Sequence, residues 1–144
     1  FMKIVNIYTD GACRGNPGKG GWGAVLEHGN KIKEIYGGHH QTTNNQMELT
    51  AVIEALKLLK EPCKIHITTD SKYVLQGITE WIDGWKKNNW KNSSKKDVKN
   101  KDLWIQLDNV IENHIIQWEW VKGHSGHAGN EKADELANKG IDTL

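Results

Sequence analysis

Two aspartates occupy echoing places in this 144-residue chain: Asp10 follows the run Ile7-Tyr8-Thr9, and Asp70 follows Ile67-Thr68-Thr69. In α/β sheets, functional groups gather at the carboxyl ends of parallel strands. If these two strands are adjacent and parallel, with a helix in the crossover between them, the two carboxylates end up side by side. An Asp after a strand is otherwise a turn former or a helix cap. Glu48 offers a third carboxylate: on a helix over residues 44–59 it shares a stripe with Val52, Ala55 and Leu59, the flank turned to the sheet. There a carboxylate is costly unless it is paired or ligates a cation; the plain alternative is a Glu snorkelling near a helix N-terminus. Asp134 offers a fourth, between Ala133 and Ala137, small residues that would let their helix approach the sheet. Taken alone, Asp134 is an ordinary first-turn Asp.

Four converging carboxylates repel one another and cannot all stay ionised unaided. Arg14, Lys72 and Lys132 lie near them in the chain, but nothing in their spacing aims them at the cluster. Hard divalent cations resolve the repulsion more directly, and oxygen-only ligands point to Mg²⁺, with Mn²⁺ as a substitute, rather than zinc. Two such ions ~3.5–4 Å apart activate a water and stabilise both oxygens of an in-line phosphodiester displacement. The chemistry expected is hydrolysis without a covalent intermediate.

Positioning these groups requires particular elements. Residues 3–9, 21–27 and 31–36 are strand-like, and Gly29-Asn30 is a hairpin signal that makes the second and third antiparallel neighbours. The helix over 44–59 has Thr43 as N-cap and Pro62 closing its exit. A strand over 64–69, helical stretches over 71–77, 79–87 and 101–113, and a strand over 115–121 come next. A glycine-rich loop over 122–130 precedes a helix over 131–139, with Gly140 as its stop. The opening meander requires antiparallel pairing, and the strand–helix–strand stretch from residue 64 requires parallel pairing with right-handed crossovers. The expected fold is therefore α/β, a mixed five-stranded sheet with helices on both faces, formed by a single domain over 1–144.

Net charge is only +1, but residues 86–101 carry seven lysines against one acid, so the remainder of the chain is acidic. A basic patch on an acidic body suits a polyanion gripped at one place, and its plain alternative is a solvated loop. No apolar run approaches the ~20 residues that span a membrane. The segment from Met2 lacks the apolar stretch of a secretory signal. Phe1, ahead of that Met, is set aside as an expression remnant. Cys13 and Cys63 are far apart and in no metal-ligand spacing, which suits reduced thiols in a cytoplasmic protein. With no oligomerisation motif, a monomer without an obligate protein partner is expected.

Several motifs recur in order: Thr9-Asp10-Gly11 with Gly15-Asn16-Pro17-Gly18, Thr43-Asn44-Asn45-Gln46-Met47-Glu48-Leu49, Thr69-Asp70-Ser71, Trp118-Glu119-Trp120-Val121-Lys122-Gly123-His124-Ser125-Gly126 and Asn130-Glu131-Lys132-Ala133-Asp134. With them the chain closely resembles bacterial type 1 ribonuclease H over nearly its whole length. The resemblance implies an endonuclease cutting the RNA strand of RNA·DNA hybrids, with Asp10, Glu48, Asp70 and Asp134 as metal-binding carboxylates. It also implies that His124, rather than its loop neighbour His127, assists proton transfer or product departure.

Such an enzyme must sense a ribose 2′-OH on one strand and deoxyribose on the other. The backbone of the Gly11–Cys13 turn, Asn16, and the Asn44-Asn45 pair are candidates, since amides both donate and accept. Their plain readings are turn residues, Asn16 being a partner to Pro17. The segment from Trp81 to Lys91 resembles the family's basic protrusion, within about residues 80–101, which holds the DNA strand. Lys86, Lys87 and Lys91 would pair with phosphates, and Trp81 or Trp90 would pack on a sugar or base face. Trp85 and Trp104 are expected in the core and Trp81 at the surface. The family's phosphate pocket would map to Thr43 and Asn100.

One departure stands out: Gln41 occupies a position commonly Arg in this family, and Gln46 one that is often basic. Losing guanidinium forks predicts weaker hybrid affinity by ~1–3 kcal/mol. Three rival readings share parts of this pattern: a polynucleotidyl transferase or resolvase acting on DNA, a non-catalytic hybrid-binding module, and a generic phosphotransfer or structural domain.

Overall fold

Val5, Ile7 and Thr9 are buried while Asn6 and Tyr8 between them are only half-buried, so one face of the first strand is committed to the core. That alternation organises the computed structural model, which describes residues 2–144; Phe1 and its reading as a remnant lie outside the described residues. The elements in order are β1 (Lys3–Arg14), β2 (Gly18–His28), β3 (Lys31–Thr42), α1 (Asn44–Lys57), β4 (Cys63–Thr69), α2 (Lys72–Gln76), a π-helical turn (Gly77–Trp81), α3 (Ile82–Lys87), α4 (Lys101–Ile111), β5 (Ile115–Trp120) and α5 (Ala128–Asp142). The five strands form one sheet in the order β3-β2-β1-β4-β5. β1 and β2 are antiparallel, as are β2 and β3, and β4 runs parallel to both β1 and β5. This is the expected mixed sheet.

Helices cover both faces. On one, Leu49, Val52, Ile53 and Leu56 of α1 pack with Ile7, Ile65 and Ile67, and Trp104 and Leu107 of α4 close the same core. On the other, α5 lies across β3, β2 and β1. Among the described residues no helix is long and apolar enough to cross a membrane. Thr43 caps α1 as expected, its Oγ1 accepting from the Gln46 amide at 3.2 Å.

Several boundaries differ from the sequence reading, most of them for non-local reasons. β1 continues past Asp10 because its antiparallel pairing with β2 persists to Arg14↔Lys19, while its parallel pairing with β4 stops at Thr9↔Thr69. β3 likewise runs on to Thr42, paired with Gly18. The helix expected over 79–87 is split: the Thr79 hydroxyl donates to the Leu75 carbonyl at 2.7 Å, competing for the acceptor of the next α-helical amide, and the chain takes a π turn there. Finally, Gly140 is no stop. α5 begins at Ala128 and runs through Gly140 to Asp142, where a side chain on Gly140 would collide with the main chain of Gly37. That glycine serves the approach of helix to sheet rather than its termination.

Between α3 and α4 the basic segment forms an irregular loop. It is closed by a β-bridge between Lys91 and Asp97 and by Asn92 Oδ1, which accepts from the amides of Ser94 (2.9 Å) and Lys96 (3.1 Å).

Candidate active site

The fork where β4 leaves β1 sets the site. Asp10 follows Thr9 on one strand and Asp70 follows Thr69 on the other, and these two threonines are the last parallel partners. α1 then crosses against Gly11, where an added Cβ would lie 2.6 Å from the Met47 carbonyl carbon. Only glycine permits that approach, and it delivers Glu48 to the fork. On the opposite face Asp10 pairs with Gly23 of β2, and Gly23 lies directly under Ala133 and Ala137 of α5. The two alanines and the glycine thus bring Asp134 in from the other side.

Carboxylate oxygens of Asp10, Glu48 and Asp70 come within 4.8 Å of one another. Asp10 and Glu48 are 4% and 5% exposed, so solvent cannot disperse their charge. Burial, followed by the Asp70 charge, pushes the Asp10 carboxyl up to about 9, with Asp70 and Asp134 both in hydrogen-bonding reach of it. Glu48 is also held well above the ordinary carboxylate range, first by burial and then by Asp10 and Asp70. Its Oε1 has no hydrogen-bond partner among the described residues. Asp10 Oδ1 accepts the Gly11 amide at 2.9 Å.

The nearby cations are engaged elsewhere. Arg14 pairs with Asp142 at 2.8 Å, Lys132 bridges Glu34 (3.7 Å) and Glu135 (3.4 Å), and the Lys72 ammonium sits 4.9 Å from the Trp120 ring centroid. A buried, all-oxygen donor set with an orphaned carboxylate oxygen and no compensating side chain fits a hard divalent cation.

A cleft of about 570 Å³ opens above the cluster, lined also by Gly11, Cys13, Asn44, Asn45, Asp134 and His124. The structure separates the two loop histidines. His127 Nδ1 accepts the Asn130 amide at 3.1 Å and caps α5, with its ring 5.6 Å from that of Tyr8. His124 is exposed, with φ 56°, at the cleft. Replacing His127 with Ala is therefore expected to lower stability by ~1 kcal/mol through the lost cap, with cleavage kept. His124→Ala is expected to slow cleavage ~10²-fold with an unchanged melting temperature, on the scale of a lost proton-transfer group. Thermal melts and initial rates on both variants check this pair; equal effects at the two positions would contradict it.

Other candidates are dispersed. Asn16 stands outside the cleft, its Oδ1 accepting the Asn44 amide at 3.0 Å and tying the β1–β2 turn to α1. The Cys13 thiol is directed at the carbonyls of Gly15 (3.1 Å) and Thr42 (3.4 Å). Thr43 and Asn100 are joined through Gln46, whose main-chain amide donates to Thr43 Oγ1 at 3.2 Å and whose Nε2 donates to Asn100 Oδ1 at 3.2 Å, while its Oε1 accepts from the Thr42 hydroxyl at 2.8 Å. Asn100 Nδ2 donates in turn to the Tyr73 hydroxyl at 3.1 Å.

On the protrusion, Lys86 is paired with Asp108 at 3.2 Å, and Asp97 holds Lys91 at 2.6 Å and Lys101 at 3.6 Å. Lys87, Lys95, Lys96 and Lys99 are exposed and form no ion pair among the described residues. Trp104 is fully buried, as expected, whereas Trp85 is half-buried and packs against the core from its edge. Trp81 is 37% exposed and rests on Tyr73 and Trp85, whereas Trp90 packs against the core.

The sequence reading missed Trp120 and Gly123. Trp120 Nε1 donates to the Asp70 carbonyl at 2.9 Å, and an added Cβ on Gly123 would lie 2.7 Å from Asp70 Oδ2. Both belong to the motif containing His124, which was their only signal in the sequence.

Comparison with known proteins agrees with this geometry. The RNase H family profile matches residues 2–142. A protein of Alcanivorax borkumensis named Ribonuclease H is 62% identical, covering 99% of this chain and 95% of its own length. Another, of Cupriavidus pinatubonensis, is 59% identical and covers 99% of both. Among solved structures, LC9-RNase H1, described as a type 1 RNase H with the type 2 active-site motif, superposes with a TM-score of 0.90 at 32% identity, covering 99% of this chain and 74% of that one. LC11-RNase H1, solved in complex with an RNA/DNA hybrid, gives 0.75 at 25% identity over 96% and 97% of the two chains. A carboxylate fork built by β1, β4, α1 and α5, on a sheet shared with these proteins, places the chain in the RNase H family.

Proposed function

We propose that this protein is a divalent-metal-dependent endonuclease that hydrolyses the RNA strand of RNA·DNA hybrids. The observation that carries the reading is the cluster of buried Asp10 and Glu48 with half-buried Asp70, three carboxylates within 4.8 Å and without a compensating side chain among the described residues. The hybrid bound to LC11-RNase H1 supports the substrate. Asp10, Glu48, Asp70 and Asp134 would hold Mg²⁺, with Mn²⁺ able to replace it, as a pair of ions. When bound, these cations supply a lowered pKa for the attacking water and charge stabilisation at the phosphodiester oxygens.

The chain's own groups perform the rest. His124, exposed at the cleft, moves a proton at the departing 3′ oxygen. Asn44, Asn45 and the backbone of Gly11–Cys13 line the same cleft and read the ribose 2′-OH, a group that both donates and accepts. Asn16 acts on the substrate only through the Asn44 amide it holds. Thr43 and Asn100, linked by Gln46, seat a backbone phosphate. The DNA strand lies along the basic segment, with Lys87 free to pair at once and Lys86 and Lys91 exchanging Asp108 and Asp97 for phosphates. Trp81 is the aromatic presented to a sugar, ahead of Trp90, which is packed inward. In this reading the chain works as one domain, as a cytoplasmic monomer.

The test is a hybrid labelled on each strand in turn. Mg²⁺-dependent cleavage confined to the RNA strand is expected. Cleavage of duplex DNA would favour the transferase-like reading, and binding without cleavage the non-catalytic one.

Gln41 is exposed on β3. Gln41→Arg is expected to tighten hybrid binding by ~1–3 kcal/mol through one charged hydrogen bond. It should also steepen the salt dependence by roughly 0.9 in log K against log salt, the increment for one phosphate. Titrations at several salt concentrations measure both, and unchanged affinity would show that residue 41 does not reach the backbone.

A further inference from the structure

Asp134 is the carboxylate left outside the close cluster of Asp10, Glu48 and Asp70. What holds it is found along its own helix. Asp134, Asn138 and Asp142 fall at i, i+4 and i+8 of α5, one stripe of the helix surface. Opposite that stripe lies Arg14, the last residue of β1, brought there because the pairing with β2 persists to Arg14↔Lys19.

The hydrogen bonds run in one direction. Arg14 Nη1 donates to Asp142 Oδ1 at 2.8 Å, and Nη2 donates to Asn138 Oδ1 at 3.3 Å. Asn138 Nδ2 then donates to the Asp134 carbonyl at 3.0 Å and reaches its carboxylate Oδ1 at 3.4 Å. A guanidinium has donors only. The guanidinium and the two acceptors of Asp134 thus hold the Asn138 amide in one attitude from both ends: oxygen towards Arg14, NH₂ towards Asp134. Without Arg14 the amide loses the bond at its oxygen and is held from the Asp134 side alone, by contacts of 3.0 and 3.4 Å.

We propose that Asn138, oriented by Arg14, is a positioning residue for Asp134, holding its carboxylate at the rim of the cluster in the attitude needed to receive a divalent cation. Partners of this kind fix the rotamer of a ligand and so act on metal affinity. The inference rests on the reading of Asp134 as a metal-binding carboxylate. Asp142 has a separate part, anchoring the guanidinium at the exposed end of the chain of bonds.

The experiment is titration of Mn²⁺ into the metal-free protein without substrate, following free Mn²⁺ by electron paramagnetic resonance. The Mg²⁺ concentration for half-maximal cleavage is measured beside it. Asn138→Leu and Arg14→Met are each expected to weaken Mn²⁺ binding by ~10-fold, at the low end of such effects, and to raise the Mg²⁺ requirement by a similar factor. The KM for hybrid at saturating Mg²⁺ should stay unchanged. Arg14→Lys keeps a donor-only group and is expected to recover most of the affinity. Asp142→Asn breaks the ion pair but leaves the Asn138 amide facing Arg14, and is expected to bind Mn²⁺ nearly as the wild type does. Wild-type affinity in Asn138→Leu overturns the proposal. So does an Asp142→Asn variant as weak as Arg14→Met, which would make the contact a mere tie between strand and helix. A wild-type protein that neither binds Mn²⁺ nor cuts hybrid removes the functional reading itself, and the proposal with it.

Discussion

Asp10→Asn is expected to slow cleavage of an RNA·DNA hybrid by at least ~10³-fold at fixed Mg²⁺, since several kcal/mol of cation-derived stabilisation is at stake and each 1.36 kcal/mol is tenfold in rate. The substitution is nearly isosteric. An Asn Oδ1 can still accept the Gly11 amide now held at 2.9 Å, so the fork between β1 and β4 keeps its shape and only the charge is lost. Hybrid binding should be preserved or slightly tightened, because removing a negative charge near a polyanion does not weaken the encounter. Single-turnover cleavage measures the first effect and an equilibrium titration the second. A loss under ~10-fold, on the same conversion of free energy to rate, would place Asp10 outside the cation-binding set.

The second large effect concerns stability of the metal-free protein. In the folded state the Asp10 carboxyl titrates near 9, because it is buried beside Asp70. In the unfolded chain it titrates at about 3.9. Between those values the folded protein retains a proton that the unfolded chain has released, so raising the pH favours unfolding. The Asp10 contribution to stability without metal should thus be fullest below about pH 4, fall as pH rises, and level off only above the folded value of about 9. Glu48, also shifted upward, acts in the same direction. At 1.36 kcal/mol per pH unit, Asp10 sets an upper limit of about 4 kcal/mol by pH 7, and local water entry brings the expected penalty to the order of 2 kcal/mol.

Asp10→Asn removes that penalty and should raise the metal-free melting temperature at pH 7 by roughly 4–8 °C for a chain of this size. Saturating Mg²⁺ should flatten the pH dependence of the wild type, since the cation binds only the folded carboxylates. Thermal melts from pH 5 to 8, with chelator and with Mg²⁺, carry the test. A flat metal-free profile would mean that the cluster is relieved by something other than protons and cations.

These two predictions pull the same residue in opposite directions. The arrangement that makes Asp10 costly to fold is the one that makes it useful, because the unbalanced charge at the fork is what attracts the cation. Strain of this kind is typical of functional sites.

Asp10, Glu48 and Asp70 stood out in the sequence by local pattern, and Asp134 was raised above an ordinary first-turn Asp by the ribonuclease H motif. Asp10 and Asp70 end apolar runs, Glu48 lies on the inward stripe of an amphipathic helix, and Asp134 is flanked by small residues. The same periodicities specified the mixed sheet, since a hairpin signal and strand–helix–strand spacing leave few topologies. Local pattern reports which face of an element is apolar, and burial of that face follows from the hydrophobic effect.

What the sequence could not decide were the partners of each polar side chain, because those depend on which distant residue the strand order brings near. His124 and His127 are alike in a glycine-rich loop until one is found capping α5. Asn16 looks like a substrate amide until its oxygen is found on the Asn44 amide. The lysines of the protrusion look equivalent until Asp108 and Asp97 are seen to engage Lys86, Lys91 and Lys101. Gly140 resembles a helix stop until Gly37 is found against it. Arg14 showed no aim at all, and only the persistence of β1 beyond Asp10 carries it to Asn138 and so to Asp134. Periodicity and the motifs shared with ribonuclease H thus pointed to the chemistry. The tertiary structure decided which side chains are free to perform it, because a polar group already satisfied within the protein has less to offer a substrate.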